Sequence, residues 1–388
     1  MTRCVLGEDT VASYPSGRSS AVGMTPCQYH GCDPKAAKRQ RIMCWYPASV
    51  ALNAPQACRI GVHPTTLLMD LRLYPLLALV LLSAAPLSTP TKQAPLKVFI
   101  LAGQSNMVGA GEVKANLDRN GGQGSLEHLV KSTAKSKRYS HLVDGDGAWV
   151  LREDVWISYF DRGGQLSVGY GGDEGKIGPE LGFGHVVGEA FDEPVLLIKV
   201  AWGGKSIGKD FRPPSAGGEV GESYTALFAQ IREVLSDLDE RFPHIEHDGY
   251  EMLGIGWHQG WNDRVNQAFN DAYEHNLSCF IRDARKELDS PDLPFVIAET
   301  GMSGPDENHP RALSLMNAQA AVAQRKEFHG SVAFVGTRDF YRPKEVSPSG
   351  QAYHWNNNAE TYYLIGDGMG KAMLALLGTE RAAKPTDK

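Results

Sequence analysis

Cysteine is scarce in this 388-residue chain. Six cysteines are present, and five of them fall within residues 1–58, which leaves Cys279 alone in the rest of the sequence. A chain of this length buries enough apolar surface to fold without cross-links. The sequence therefore excludes a small disulfide-stabilised scaffold and predicts a domain held together by a hydrophobic core.

An excess of positive charge is also missing. The whole chain has a formal net charge of −6, but residues 1–94 hold nine basic and four acidic side chains, a net charge of +5. Residues 95–388 therefore carry −11. This acidic balance argues against nucleic acid or anionic lipid as a partner.

The most apolar segment is too short to span a membrane comfortably. It runs over Leu76–Leu82, within a segment Met69–Pro90 that has a short polar start with Arg72 and small residues after the apolar run. This layout is typical of a secretory signal peptide. The alternative is a buried helix, which the flanking Pro75 and Pro86 disfavour. We expect a secreted or periplasmic protein with no membrane contact after signal removal.

The signal-like segment divides the chain into parts. We expect residues 69–94 to be a signal peptide and short linker, with translation starting at Met69. Residues 1–68 have no sustained helix or strand periodicity. They are interpreted as an N-terminal extension, either disordered or the product of a mis-assigned start, with a small cysteine-rich module as the alternative. Residues 95–388 then form a single domain, and nothing in the sequence indicates its oligomeric state.

Strand-like apolar runs alternate with amphipathic helical patterns in residues 95–388. The apolar runs are Lys97–Ala102, Pro194–Ala201, Glu251–Trp257, Pro294–Ala298 and Ser331–Val335. The helical patterns are Glu180–Phe191, Ser223–Phe242, Ala268–Leu288, Arg311–Phe328 and Ala359–Leu377. Continuous apolar strands between such helices predict a parallel sheet covered on both faces. The predicted fold class is α/β, a three-layer α/β/α sandwich with about five strands.

Residues 108–178 depart from this alternation. They are polar and rich in glycine, with an aromatic-rich piece at Trp149–Phe160. We interpret them as a long insertion after the first strand, made of irregular loops with room for a hairpin.

Four polar turns stand beside predicted strands or the last helix. They are Gly103–Met107, Trp202–Ser206, His258–Asp263 and Tyr353–Asn356. In a parallel sheet, ligands bind beyond the carboxyl ends of the strands, so these turns are expected at one edge. Ser105, in a tight turn after a buried strand, suits a nucleophile, and His354 is the best candidate for the base that it requires.

Donors for a developing oxyanion are available in the same turns. Backbone N–H groups of Ser105 and of Gly203 or Gly204 are candidates, and a side-chain amide of Gln259 or Asn262 would add a third. Each feature alone has an ordinary interpretation as a helix cap, a turn or a structural histidine. Their occurrence together at successive strand ends favours a catalytic site.

These residues resemble a known family. GQSN at Gly103–Asn106, WGG at Trp202–Gly204 and HQG at His258–Gly260 are similar to the sialate O-acetylesterase-like group, which is carbohydrate esterase family six in the broad sense, within the SGNH hydrolase superfamily. The resemblance extends from about Lys97 to Leu377. It implies a flavodoxin-like sandwich and serine-dependent removal of acetyl groups from carbohydrates, with no metal and no cofactor.

The resemblance also implies roles for single residues. Ser105 is the nucleophile, His354 is the base, and Gly204 (or Gly203) and Gln259 complete the oxyanion hole with the N–H of Ser105. The remaining motif residues are expected to support the site or bind substrate. They are Gln104, Asn106, Gly203 and His258.

The sequence departs from the family pattern three residues before the histidine. An aspartate is common there, but this chain has Gln351, which cannot orient an imidazole as an anion. Asp263 is the first substitute, because its turn belongs to the site, although it is equally suited to cap a following helix. Asp339 and Glu345 are other candidates, and a Ser–His dyad is a further alternative.

Tryptophans flank the same turns, and sugar rings pack well against flat aromatic faces. Trp261 and Trp355 are the preferred substrate contacts, whereas Trp257 is expected in the core. The segment Asp210–Pro214 either rims the pocket or is a surface loop. The sequence thus predicts an exported carbohydrate acetylesterase whose partner is an acetylated oligo- or polysaccharide. The alternatives are a non-catalytic carbohydrate-binding protein and an esterase for other acyl groups.

Overall fold

The computed structural model describes residues 93–379. The extension 1–68 and the whole signal-like segment Met69–Pro90 lie outside the described residues. The strands are β1 (Leu96–Gly103), β2 (Gly111–Glu112), β3 (Val155–Tyr159), β4 (Arg162–Gln165), β5 (Lys176–Ile177), β6 (Val195–Ala201), β7 (Tyr250–His258), β8 (Phe295–Ala298) and β9 (Val332–Val335).

Eleven α-helices accompany these strands in the described part of the chain. They are α1 (Ser105–Val108), α2 (Leu126–Lys131), α3 (Ser136–Tyr139), α4 (Pro179–Gly188), α5 (Glu222–Ser236), α6 (Leu238–Arg241), α7 (Trp261–Arg264), α8 (Gln267–Asp271), α9 (Tyr273–Glu287), α10 (Pro310–Gln324) and α11 (Ala359–Leu377). Short 3₁₀ turns lie at Asn120–Gly122, Ser140–Leu142, Pro214–Ala216, Lys326–Phe328, Arg338–Phe340, Lys344–Val346 and Ala352–Asn357. Two predicted helices are each divided, into α5 and α6 and into α8 and α9.

The main sheet has seven strands in the order β4-β3-β6-β1-β7-β8-β9. All neighbouring pairs are parallel except the edge pair β3–β4. The five predicted strands correspond to β1, β6, β7, β8 and β9, so the α/β sandwich is confirmed. The predicted count of about five is too low by two, because β3 and β4 extend one edge.

Alternation along β1 explains the two core layers. Val98, Ile100 and Ala102 contribute to the core on one face of the sheet, while Phe99 and Leu101 contribute to the core on the other. Successive side chains of a strand point to opposite faces, so a strand that is apolar at every position is buried on both sides. Helices α5, α9 and α10 cover the first face, and α4 and α11 cover the second.

Residues 108–178 contain more regular structure than loops alone. Strands β3 and β4 form an antiparallel hairpin, and Phe160 in its two-residue turn has the left-handed φ of 54°. Strand β3 then pairs in parallel with β6 and so joins the main sheet. Strands β2 and β5 make a separate small antiparallel pair.

A buried ion pair joins the sheet to this segment. Lys199 of β6 and Glu180 of α4 have no exposed side-chain surface, and their charged groups are 2.7 Å apart. The Nζ atom of Lys199 also donates to the carbonyls of Val108, at 2.8 Å, and Tyr170, at 2.6 Å. The two backbone carbonyls and the carboxylate therefore accept hydrogen bonds from all three ammonium protons.

Removal of this lysine is expected to destabilise the fold. Lys199→Met leaves Glu180 buried without a cation, so the free energy of unfolding should fall by about 3–5 kcal/mol in urea denaturation. Lys371→Met is the matched control, because it breaks an ion pair with Asp367 in which the lysine side chain is 62% exposed. The control should lose less than about 1 kcal/mol. Equal losses in both variants would show that the buried pair has no special role.

Candidate active site

The carboxyl ends of β1, β6 and β7 bring three of the predicted turns to one edge. Strand β1 ends at Gly103, which has a left-handed φ of 155°, and a Cβ atom there would lie 2.2 Å from the carbonyl oxygen of His258. Only glycine permits this approach. Ser105, two residues after Gly103, begins α1 and is partly exposed.

Gln104 links the turn after β1 to the turn after β7. Its backbone N–H donates to the carbonyl of His258 at 3.2 Å. Its side-chain Oε1 accepts from Gln259 Nε2 at 3.2 Å, from the Gly260 N–H at 2.9 Å and from the Asn262 N–H at 3.3 Å. The side chain is 1% exposed. Gln104 therefore holds the turn that contains Ser105 against the turn after β7.

Asp263 links the turn after β7 to the turn after β6. Its two carboxylate oxygens accept from the N–H groups of Ile207, at 3.0 Å, and Gly208, at 2.8 Å, and from Gln259 Nε2, at 2.6 Å. Burial raises the pKa of Asp263 to about 6, against the opposing effect of these donors. The carboxylate thus holds the segment that follows Gly203 and Gly204.

These contacts correct two of the predicted roles. The amide protons of Gln259 are directed at Gln104, Asp263 and the carbonyl of Lys205, the last at 3.0 Å. An amide has only two protons, so the side chain has none to offer to an oxyanion. Asp263 has N–H partners on both oxygens and none of its hydrogen bonds reaches His354. Both side chains act in positioning the turns.

The turn after β6 is open to solvent. Gly203 and Gly204 are exposed, and Gly204 has a left-handed φ of 69°. The carbonyl of Gly204 accepts from Asn262 Nδ2 at 2.5 Å, so the predicted amide of Asn262 is engaged there. This bond fixes the orientation of the peptide that follows Gly204.

Asn106 connects the nucleophile turn to the segment that carries the histidine. Its Nδ2 donates to the carbonyl of Tyr353 at 3.1 Å, and its Oδ1 accepts from the hydroxyl of Tyr362 at 2.9 Å. The same hydroxyl lies 3.3 Å from the carbonyl of His354. Asn106 and Tyr362 are both buried. The structure therefore brings the backbone of His354 next to the residue that follows Ser105.

The imidazole of His354 has no carboxylate partner among residues 93–379. Asp339 and Glu345 are exposed, and Asp339, Glu345 and Asp263 make no contact with it. Partial burial lowers the pKa of His354, and the nearby cation of Lys176 lowers it further. Both effects favour the neutral imidazole over the imidazolium.

Three consecutive left-handed residues follow the histidine. Trp355, Asn356 and Asn357 have φ values of 52°, 54° and 57°. Asparagine tolerates this region, but it is unfavourable for a bulky side chain such as tryptophan. The backbone carbonyl of Gln351 accepts from the N–H groups of His354 and Asn356, at 2.8 and 3.0 Å, and so closes the turn. Strain of this kind persists only where surrounding contacts impose it.

The aromatic residues divide into core and surface. Trp257 and Trp355 are both 0% exposed, so the predicted substrate contact of Trp355 is corrected to a supporting role. His258 is also fully buried, and burial lowers its pKa to about 4. Trp261 and Tyr353 face each other at the surface, with ring centroids 5.8 Å apart. Tyr353 is 42% exposed, and its ring also contacts that of His354.

Sequence reasoning missed several residues of this site. Tyr353 is predicted only as part of the histidine turn, although an aromatic residue beside a candidate catalytic histidine is itself a signal. Tyr362 lies in the helix that follows the histidine turn and Lys176 lies far from all four turns in sequence, and the placement of both side chains depends on packing. Lys199 lies within the apolar run Pro194–Ala201, and a lysine at such a position indicates a buried ion pair.

Within residues 93–379, no three histidine, cysteine or acidic side chains are grouped closely enough to bind a metal ion. The described helices also include none that is long and apolar enough to cross a membrane.

Substitution of Asp263 is expected to change both stability and its pH dependence. Asp263→Asn places an NH2 group against a backbone N–H, which should cost about 1–3 kcal/mol at pH 7. The folded-state pKa of about 6 is above the ordinary value. The native protein therefore binds the proton more tightly, and its contribution to stability is lost as pH rises from about 4 to about 6.

Urea denaturation at several pH values between 4 and 7 measures both effects. The difference in unfolding free energy between wild type and Asp263→Asn should shrink as pH rises through this window. Asp146→Asn, at an exposed aspartate, is the control and should follow the wild-type profile. A constant difference across the window contradicts the raised pKa.

One protein family and several solved structures are similar to this chain. Residues 95–374 match the family model described as carbohydrate esterase, sialic acid-specific acetylesterase. Among curated proteins, none matches the chain. Similar solved structures include a protein from Arabidopsis thaliana, with 16% identity, 72% of this chain and 98% of that chain covered, and a TM-score of 0.48.

Two further structures carry names. NanS shares 15% identity, with 75% of this chain and 100% of that chain covered and a TM-score of 0.48. A carbohydrate acetylesterase from Xanthomonas citri shares 12% identity, with 74% of this chain and 57% of that chain covered and a TM-score of 0.46. Because the family model matches most of the chain, the protein belongs to the carbohydrate esterase family of sialic acid-specific acetylesterases and is a carboxylic ester hydrolase.

Proposed function

We propose that this esterase removes O-acetyl groups from carbohydrates through an acyl-enzyme on Ser105, with His354 as the base. The observation that carries the proposal is the hydrogen bond from Asn106 to the carbonyl of Tyr353, which joins the serine turn to the histidine turn. Serine requires a base within reach at neutral pH, and a neutral imidazole is the side chain suited to accept its proton.

The reaction has two displacement steps. The Oγ atom of Ser105 attacks the acetyl carbonyl carbon while its proton passes to His354. The tetrahedral intermediate then collapses, the bond to the sugar oxygen breaks, and that oxygen takes the proton from His354. Water attacks the acetyl-serine in the same way, and acetate leaves as Oγ regains a proton.

Backbone N–H groups are proposed to stabilise the oxyanion. Ser105 is the first residue of α1, and the first N–H groups of a helix have no intrahelical partner. The N–H of Gly204, with Gly203 as the alternative, is the proposed second donor. The bonds of Asp263 and Asn262 to this segment support it by limiting its movement. Preorganised donors need no rearrangement as charge develops.

A Ser–His dyad is the form of the mechanism that these contacts favour. An aspartate in a triad orients the imidazole and stabilises its cation. Here backbone hydrogen bonds fix the strained turn that carries His354, and the nearby charge is the cation of Lys176. The base is therefore weaker than in a triad but remains unprotonated at a lower pH.

Trp261 and Tyr353 are proposed to contact the acetylated sugar. Both rings lie at the surface beside His354, and the guanidinium of Arg264 lies 4.8 Å from the ring centroid of Trp261. A sugar packs on such rings through its C–H face. Export, from the signal-like segment Met69–Pro90, is part of the same proposal because polymeric glycans are met outside the cell.

Ser105→Ala should reduce kcat for p-nitrophenyl acetate and for acetylated oligosaccharides by at least about 1,000-fold, because no other group takes the place of the nucleophile. Acetate release measures this. The control Ser140→Ala removes an exposed hydroxyl elsewhere and should retain wild-type kcat. Unchanged turnover in Ser105→Ala would contradict the assignment of Ser105 as the nucleophile.

The acidic limb of the pH profile of kcat/KM should reflect the pKa of His354. The base accepts a proton only when neutral, so activity falls as pH drops through its pKa. Lys176→Gln removes a cation that lowers this pKa, so the limb should move to higher pH by about 0.3–0.5 units. The control Lys114→Gln, at an exposed lysine elsewhere, should not move the limb. An unmoved limb in Lys176→Gln contradicts the assignment.

A further inference from the structure

A second cleft lies at the same edge of the sheet as Ser105. It has a volume of about 480 Å³, within the range of small-molecule sites. It is formed by the loop between β6 and α5, the start of α5 and helix α8, all of which lie at the carboxyl ends of the strands. Its lining begins at Lys205, directly after the Gly203–Gly204 turn. The cleft therefore adjoins the proposed oxyanion donors.

The segments that line this cleft are closely packed against each other. A Cβ atom at Gly208 would lie 2.4 Å from the ring of Phe269, and one at Gly221 would lie 2.0 Å from the carbonyl oxygen of Asp210. Asp210 also accepts from the N–H and hydroxyl of Ser206, both at 2.9 Å. Arg212 donates to the carbonyl of Gly208. These contacts fix the positions of the polar groups before a ligand enters.

The polar lining is balanced in charge. Three cations, Lys205, Lys209 and Arg212, stand with three carboxylates, Asp210, Glu219 and Glu222. Lys205 and Asp210 pair with each other at 3.3 Å, which leaves two cations and two carboxylates. Cations only donate hydrogen bonds and carboxylates only accept them, whereas a hydroxyl group does both. A row of sugar hydroxyls satisfies both kinds of group, while an anionic or cationic ligand is repelled by half of them. The partly exposed ring of Phe269 adds a flat apolar face.

We propose that this cleft is a subsite for the uncharged sugar units that flank the acetylated residue, so that the enzyme acts on oligo- or polysaccharides in preference to monosaccharides. The inference rests on the proposed function, since it requires Ser105 to attack an acetyl group on the same chain. Phe269 and Lys209 are the proposed specificity residues. Lys209 is exposed, and no ion pair of its side chain is found within residues 93–379.

The experiment compares kcat/KM for acetylated xylo-oligosaccharides of one to six units with kcat/KM for p-nitrophenyl acetate. In wild type, the ratio of the two should rise with chain length. Phe269→Ala and Lys209→Ala should each lower the ratio for the longer chains by about tenfold. Lys286→Ala, an exposed lysine near the end of α9, is the matched control and should keep the wild-type ratio. Urea denaturation identifies any loss of folding in Phe269→Ala, and Lys209→Ala tests the subsite independently.

Two different failures are distinguishable. If wild type releases acetate from every chain length with the same ratio, and neither variant changes it, the subsite is overturned and the esterase proposal stands. If wild type hydrolyses neither p-nitrophenyl acetate nor any acetylated sugar, the proposed function itself fails. A strong preference for oligosaccharides that contain a uronic acid would overturn the inference that the flanking units are uncharged.

Discussion

The geometry of the site depends on one buried hydrogen-bond network. Gln104, Gln259 and Asp263 come from two turns that are more than 150 residues apart in sequence. Their buried side chains form hydrogen bonds with each other and with a third turn. Unpaired polar groups at this depth are costly, so each partner enforces the position of the others. The network thus fixes the serine turn and the glycine turn before any substrate arrives, which is the condition for effective oxyanion stabilisation.

The histidine is placed by a different device. Asn106 and Tyr362 hold the backbone on either side of the ring, and the left-handed conformation of Trp355 turns that large side chain into the core. The buried indole anchors the turn, which offsets the backbone strain. The proposed base is therefore positioned by backbone and packing in a chain whose Gln351 cannot supply the usual carboxylate.

Sequence patterns predicted the sheet and the location of the site but not the direction of its side chains. The five apolar runs were sufficient to locate five strands of the sheet, because strands buried on both faces are apolar at every position. The hairpin at Val155–Gln165 was only partly visible, since its pairing with β6 is a long-range contact inside a glycine-rich segment. Asp263 and Gln259 were placed in the right turns with the wrong partners, because a side chain after a strand end can face the substrate or the neighbouring turn, and only tertiary contacts decide between them. Trp355 was misassigned for the same reason, since a left-handed tryptophan has no sequence signal.

We propose above all that Ser105 carries the acetyl group during turnover. Rapid acid quenching of wild-type enzyme with an acetylated substrate, followed by peptide mass spectrometry, measures this directly. We expect one acetyl group on the peptide that contains Ser105, formed within the first turnover and lost as substrate is exhausted. Steady acetate release without acetylation of Ser105, or with acetylation of a different residue that accumulates at the rate of turnover, would contradict it.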